Sequence, residues 1–209
     1  MCMNLQKPVC PKCKKNPCNY NAEQDLWEYC TECKVKMKQK DISSFVVSCG
    51  VPQKYANYSL ANFNKEKVDK LREESQNWAK NIIFDGDSFV GKTVFLSGIC
   101  KEILLRTTKN IVFLNCVDVL TLIKNEELFW EYAKKATMAD ILILDDIIKP
   151  EKSYEYKWLY MVLNNRSDNG KTTHGSTNMN LDAELDARLY SRLVNNGFYI
   201  TLDKSSWKV

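Results

Sequence analysis

Residues 86–93 read GDSFVGKT, and no other stretch constrains the fold as strongly. Glycines at 86 and 91 followed by Lys92 and Thr93 have the spacing of a phosphate-binding loop. Average composition alone produces such a pattern in about 1% of chains of this length. The flanks sharpen the signal: NIIF reads as a strand ahead of the loop, and TVFLSGICKEILLR reads as a helix behind it, with Phe95, Ile99 and Ile103 one turn apart. The chemistry needs that context. Backbone N–H groups of Gly86, Asp87, Ser88, Phe89, Val90 and Gly91 can surround phosphates, and the helix N-terminus adds partial positive charge. Lys92 is then expected to reach the β- and γ-phosphates of ATP, and the Thr93 hydroxyl to ligate Mg²⁺. Phe89 occupies one of the four free positions, so the pattern stands. A φ above zero there would strain it.

The remaining sequence alternates in type. NIIFDG, IVFLNC, ADILILDD, TTHGSTN and FYITLD have strand length, and between them lie the helical stretches TVFLSGICKEILLR, VDVLTLIKNEELFWEYAKKA, EYKWLYMVLNNRSDNG and LDAELDARLYSRLVNNG. Strand followed by helix, repeated, predicts an α/β domain with a mostly parallel sheet covered on both faces.

Three later segments carry further candidates. ILILDD describes a buried strand ending in two carboxylates, 53 residues after Lys92. Asp145 is expected to hold Mg²⁺ through water, and Asp146 to orient or deprotonate the attacking water. Aspartate is one methylene shorter than glutamate, which predicts slow hydrolysis. Asn178 ends GSTN, where it can face the γ-phosphate or cap the helix beginning at NMNLDAEL; the residues alone leave both roles open. His174, the one histidine, reads as a strand residue near the site rather than a catalytic group. LDARLYSRL sets Arg188 and Arg192 one turn apart beside Leu185, Leu189 and Leu193. An arginine beside a packing face can enter a neighbouring subunit's site; the competing reading is a Glu184–Arg188 ion pair with Arg192 in solvent.

The amino-terminal part differs. Five of the nine cysteines, at 10, 13, 18, 30 and 33, fall within 24 residues. The knuckles CPKC and CTEC give C-x₂-C-x₁₆-C-x₂-C, the pattern of a structural zinc site held by Cys10, Cys13, Cys30 and Cys33, with Cys18 to spare. Four thiolates close the shell and leave no position for catalysis. Aliphatic residues are few before residue 43, so the metal would supply the stability that a core cannot. The organisation expected is a zinc-binding module over 1–43 and an ATPase domain over 44–209. Eight lysines and five acidic residues up to Asp41 give +3, and a zinc tetrathiolate adds −2. This is a weak signal for DNA; Trp27 and Tyr29 could equally serve a protein interface.

Hydrophobic residues make up 44% and charged residues 27%, as in ordinary globular proteins, and no apolar run approaches the roughly 18 residues of a membrane span. The start MCMNLQKPVC lacks the apolar core of a signal peptide, so a cytoplasmic protein is expected, in a bacterium or the bacterial host of a phage. A net charge of +4 permits nucleic-acid contact without requiring it.

With the phosphate loop, ILILDD, STN and ARLYSRL in that order, the chain resembles the AAA+ ATPases of the DnaC/DnaI helicase-loader group and their relatives, the IstB-like transposition ATPases. The lead-in GVPQKYANYSLANF and the segment VLNNRSDNGKTTHGSTN look similar as well. The resemblance covers about residues 49–203. It implies a five-stranded parallel sheet of order 5-1-4-3-2 without a full C-terminal lid. It further implies Asn178 as the first sensor, and Arg192 as arginine finger ahead of Arg188. The partners implied are a DnaB-type replicative helicase, single-stranded DNA and further copies of the chain. Phe89 departs from the glycine usual in that loop, and TTHGSTN is more polar than the usual strand. Two alternatives accompany the loader reading: an IstB-like transposition helper, and a nucleotide-binding adaptor with little hydrolysis.

Overall fold

A computed structural model describes residues 9–16, 18–21, 26–194, 197–203 and 207. The amino-terminal part forms an antiparallel hairpin of β1 (Asn19–Asn21) and β2 (Leu26–Glu28), followed by α1 (Thr31–Lys40). The lead-in consists of α2 (Ile42–Ser48), two short 3₁₀ turns and α3 (Lys65–Glu74). Strand and helix then alternate: β3 (Ile82–Asp85), α4 (Lys92–Arg106), β4 (Ile111–Asn115), α5 (Cys116–Leu122), α6 (Glu126–Met138), β5 (Ile141–Ile147), α7 (Ser153–Asp168), β6 (Thr172–Thr177), α8 (Leu181–Glu184), α9 (Ala187–Val194) and β7 (Phe198–Thr201).

The five strands β3 to β7 form one parallel sheet in the order β4-β5-β6-β3-β7. Counted from the strand before the phosphate loop, this is 5-1-4-3-2, the AAA+ order. Both faces are covered, which explains why the strands read as unbroken apolar runs. Ile82, Phe84, Ile111, Phe113, Ile141 and Ile143 point to the side of α2, α3 and α4. Ile83, Val112, Leu114, Leu142 and Leu144 point to the side of α5 through α9.

Two stretches that read as single helices are broken, each for a local reason. Asn125 accepts hydrogen bonds from the N–H groups of Glu127 and Leu128, which starts α6 afresh after α5. Leu185 takes an extended conformation between α8 and α9 and stays buried, so the stripe Leu185, Leu189, Leu193 faces the core across the break.

Arg166 was not singled out in the sequence, yet it is 1% exposed. Its guanidinium donates to Thr173 Oγ1 and to the carbonyls of Ala136, Ala139, Asp140 and Thr172, tying the end of α6 to the starts of β5 and β6. Burial lowers its pKa to about 10.

Among the described residues no helix is long and apolar enough to cross a membrane.

Candidate functional site

The phosphate loop connects β3 to α4. Gly86 and Gly91 both take positive φ, 126° and 109°. A side chain at Gly86 would also lie 2.3 Å from the Leu202 carbonyl oxygen, so glycine is required there twice over. Val90 anchors the loop in the core, whereas Phe89 sits at φ 65° with its ring 92% exposed. That is the strained conformation the sequence warned of.

Lys92 opens α4, and its side chain is buried. Its ammonium donates to Gly86 O at 2.6 Å, Asp87 O at 2.8 Å and Asn178 Oδ1 at 2.6 Å. Burial lowers its pKa, with Asp146 and Asp145 pulling the other way. A buried cation held by neutral acceptors is a ready partner for phosphate oxygens, which would replace those acceptors and compensate the charge. The open side of this arrangement is a cavity of about 400 Å³ lined by Tyr55, Ser88, Phe89, Gly91, Lys92, Thr93, Val94, Asp146 and Asn178.

The two carboxylates have different surroundings. Asp145 is buried and accepts from Ser176 Oγ at 2.6 Å. Burial raises its pKa, opposed by the Ser176 and Thr93 hydroxyls that favour the carboxylate. Thr93 and Asp145 therefore stand side by side, as shared Mg²⁺ ligation would need. Asp146 lies at a bulge, where the pairing of β5 with β6 slips between Leu144 and Ile147 and φ is 54°. The bulge turns the Asp146 side chain into the cavity. Its N–H, displaced from the ladder, donates to Ser176 Oγ at 3.0 Å, and Asn115 Nδ2 donates to its Oδ2 at 3.3 Å. Ser176 and Asn115 thus hold the carboxylate pair. Sequence reasoning missed both, because a serine inside a strand and an asparagine capping α5 carry no motif.

The rivalry over Asn178 is resolved at the level of contacts. Asn180, not Asn178, accepts from Ala183 N at the start of α8, and Asn178 faces Lys92 instead. His174 lies within β6, fully buried and away from the cavity lining.

Arg188 and Arg192 are not brought to this cavity. Arg188 pairs with Asp186 at 3.2 Å, not with Glu184. Arg192 Nε donates to Asn164 Oδ1 at 2.7 Å, and its guanidinium lies 4.9 Å from the Tyr160 ring centre. It lines a separate pocket with Asn81, Thr172 and Thr173, at the starts of β3 and β6. The nucleotide cavity is at their other ends, roughly 13 Å away for a four-residue strand. Arg192 cannot serve the site of its own chain.

The cysteine cluster stands apart. The Sγ atoms of Cys10, Cys13, Cys30 and Cys33 all lie within 4.8 Å of one another. Cys13 and Cys30 approach to 3.7 Å, and Cys30 N donates to Cys10 Sγ at 3.5 Å. Burial opposes ionisation of Cys10, but backbone donors at Cys13, Cys30 and Lys12 outweigh it and bring its pKa to about 6. Burial pushes Cys33 up to about 12. Four convergent sulfurs with backbone N–H support fit a tetrahedral zinc shell. Cys18 packs against the cluster without joining the group of four. Tyr29 is 40% exposed with Lys12 above its ring; the Trp27 side chain lies outside the described residues.

No family model matches the sequence, and no curated protein matches it. Solved structures do match in fold. The chain aligns with the crystal structure of DnaI at a TM-score of 0.63 and 18% identity, covering 74% of this chain and 92% of that one. It aligns with the DnaC helicase loader at 0.60 and 17%, covering 73% and 100%. A DnaA structure from Aquifex aeolicus bound to AMPPCP gives 0.59 and 19%, and there 70% of this chain spans 49% of the other. The chain has the AAA+ fold of the DnaC/DnaI-type loaders. At such identities the likeness establishes architecture alone.

Proposed function

We propose that this chain is an ATP-dependent helicase loader of DNA replication, acting on a DnaB-type helicase and on single-stranded DNA. The observation that carries the reading is the direct link from the Lys92 ammonium to Asn178, set beside the Asp145–Asp146 pair, on the fold shared with DnaI and the DnaC helicase loader. In this reading the loop N–H groups and Lys92 hold the phosphates of ATP. Thr93 and Asp145 hold Mg²⁺, which supplies charge neutralisation at the phosphates. Asp146 takes the proton of the attacking water, kept in position by Asn115 and Ser176, and Asn178 orients that water or the γ-phosphate. Arg192 completes the site of a neighbouring copy, since it lacks a carboxylate partner among the described ion pairs while Arg188 is neutralised by Asp186. Residues 1–43 form a zinc-stabilised docking module and 44–209 the ATPase domain.

A specific observation also favours the adaptor reading: strain at Phe89 and a short carboxylate at Asp146 are both compatible with binding and little turnover. Co-purification with a replicative helicase, together with turnover measured with and without single-stranded DNA, tests both. Helicase capture with turnover supports the loader. Capture without turnover supports the adaptor, and capture of a transposase alone overturns both.

A further inference from the structure

Phe89 is costly where it stands. A left-handed backbone costs a non-glycine residue roughly 1 kcal/mol or more, yet the ring is 92% exposed and gains almost no packing from its own chain. Strain held at a functional loop without local compensation points to a contact made elsewhere.

The surface around Arg192 offers a matching one. Tyr156 and Tyr160 of α7 stack with ring centres 6.1 Å apart and planes 11° from parallel. The Arg188 guanidinium lies 5.7 Å from one ring and 5.8 Å from the other, and Arg192 lies 4.9 Å from Tyr160. The pair therefore flanks the arginine that the preceding section places in a neighbour's nucleotide site. A guanidinium bound to a phosphate must come within about 3 Å of it, and the phosphate loop encircles that phosphate. The ring on the loop's rim and the rings beside the arginine are then within one side chain's reach.

We propose that Phe89 is an intersubunit contact, its ring packing on the Tyr156–Tyr160 pair of a second copy of this chain as Arg192 enters the nucleotide site. The inference rests on the trans placement of Arg192. It adds an aromatic latch that exists only when the loop of one copy and the α7–α9 surface of the next are together. Aromatic pairs of this kind favour tilted or offset geometry, which an exposed ring on a loop tip can adopt.

The test uses the full chain. Replacing Phe89 with p-benzoylphenylalanine and irradiating with AMPPCP and Mg²⁺ should give crosslinks to peptides within 153–168. Mixing isotopically light and heavy protein should show that the two peptides come from different copies. The crosslink should vanish without nucleotide. Independently, a Tyr156→Ala/Tyr160→Ala protein should bind nucleotide normally as an isolated chain but need about tenfold higher concentration for nucleotide-dependent association. Tyr160→Phe, which keeps the ring, should associate like the wild type. Crosslinks confined to the same chain or landing on other elements overturn the contact, as does normal association of the folded double variant. Should the double variant not fold, the crosslink alone decides. Arg192→Ala separates the two layers: normal turnover in that variant removes the trans reading itself, whereas loss of turnover without the crosslink removes only the Phe89 contact.

Discussion

The Lys92 ammonium donates to Asn178 Oδ1 at 2.6 Å, joining the first turn of α4 to the residue after β6, 86 positions later. Incoming phosphate oxygens compete with Asn178 for this ammonium, so occupancy of the loop is felt at the end of the sensor strand. Lys92→Ala should weaken ATP binding at least tenfold. Asn178→Ala should bind within about threefold of wild type but hydrolyse more than tenfold slower, since only the amide's part in turnover is removed. Equilibrium binding of a fluorescent nucleotide and steady-state turnover provide the comparison.

Asp146→Asn is a clean probe because asparagine tolerates the left-handed backbone that Asp146 adopts, φ 54°. The amide fills the same space and cannot take a proton. Binding should persist and hydrolysis should fall on the order of 10²-fold or more. Unchanged turnover would assign the proton transfer elsewhere.

Removing the trans arginine should be rescued by mixing. Arg192→Ala protein should bind ATP and turn over poorly, a finger being worth about 10³-fold or more. Mixed with Lys92→Ala protein, it should regain part of the activity, because an intact loop can then meet an intact Arg192. Mixtures no more active than their parts, under conditions where the wild type turns over, exclude the arrangement.

His174 sets an acid limit on stability. Burial holds its pKa down at about 3, against a smaller opposing pull from the Trp78 backbone, whereas the unfolded chain titrates near 6.5. Above about 6.5 both states are neutral and the fold has its full stability. As pH falls below that, the unfolded chain gains a proton the folded chain refuses, costing up to about 1.4 kcal/mol per pH unit until the folded imidazole titrates. His174→Leu should flatten this part of the curve when urea midpoints are compared between pH 7 and 4. Carboxylates common to both proteins cancel in that comparison.

One zinc per chain is expected from metal analysis of protein purified under reducing conditions. Cys30→Ser should lose it, since Cys30 approaches Cys13 to 3.7 Å and stands at the centre of the group. Nucleotide binding should survive, because the sheet and its two apolar layers are built from residues beyond the cysteine cluster. Parallel loss of nucleotide affinity would show that the two parts depend on each other.

Local signals made much of this protein legible without coordinates. The phosphate loop declares itself because a tight turn onto a helix needs glycine at positive φ, as at Gly86 and Gly91, followed by a cation that reaches back. The five strands are legible because burial on both faces leaves unbroken apolar runs, and the two cysteine knuckles because paired thiols are short-range motifs. Their convergence, with all four sulfurs within 4.8 Å, is a tertiary fact.

What the tertiary structure alone decided depends on contacts between distant segments. Ser176 and Asn115 hold the Asp145–Asp146 pair only because β6 and β4 flank β5 and a bulge displaces one N–H. Arg166 became the buried clamp of three elements, although its sequence neighbours mark it as an ordinary charge near a helix end. The choice between the two readings of Asn178 turned on whether its amide met the helix after it or the lysine far before it, and Asn180 had already taken the cap. Glycine spacing and apolar periodicity act within a few residues and so can be read along the chain. Hydrogen bonds across the sheet have no sequence period, and only the folded strand order assigns their partners.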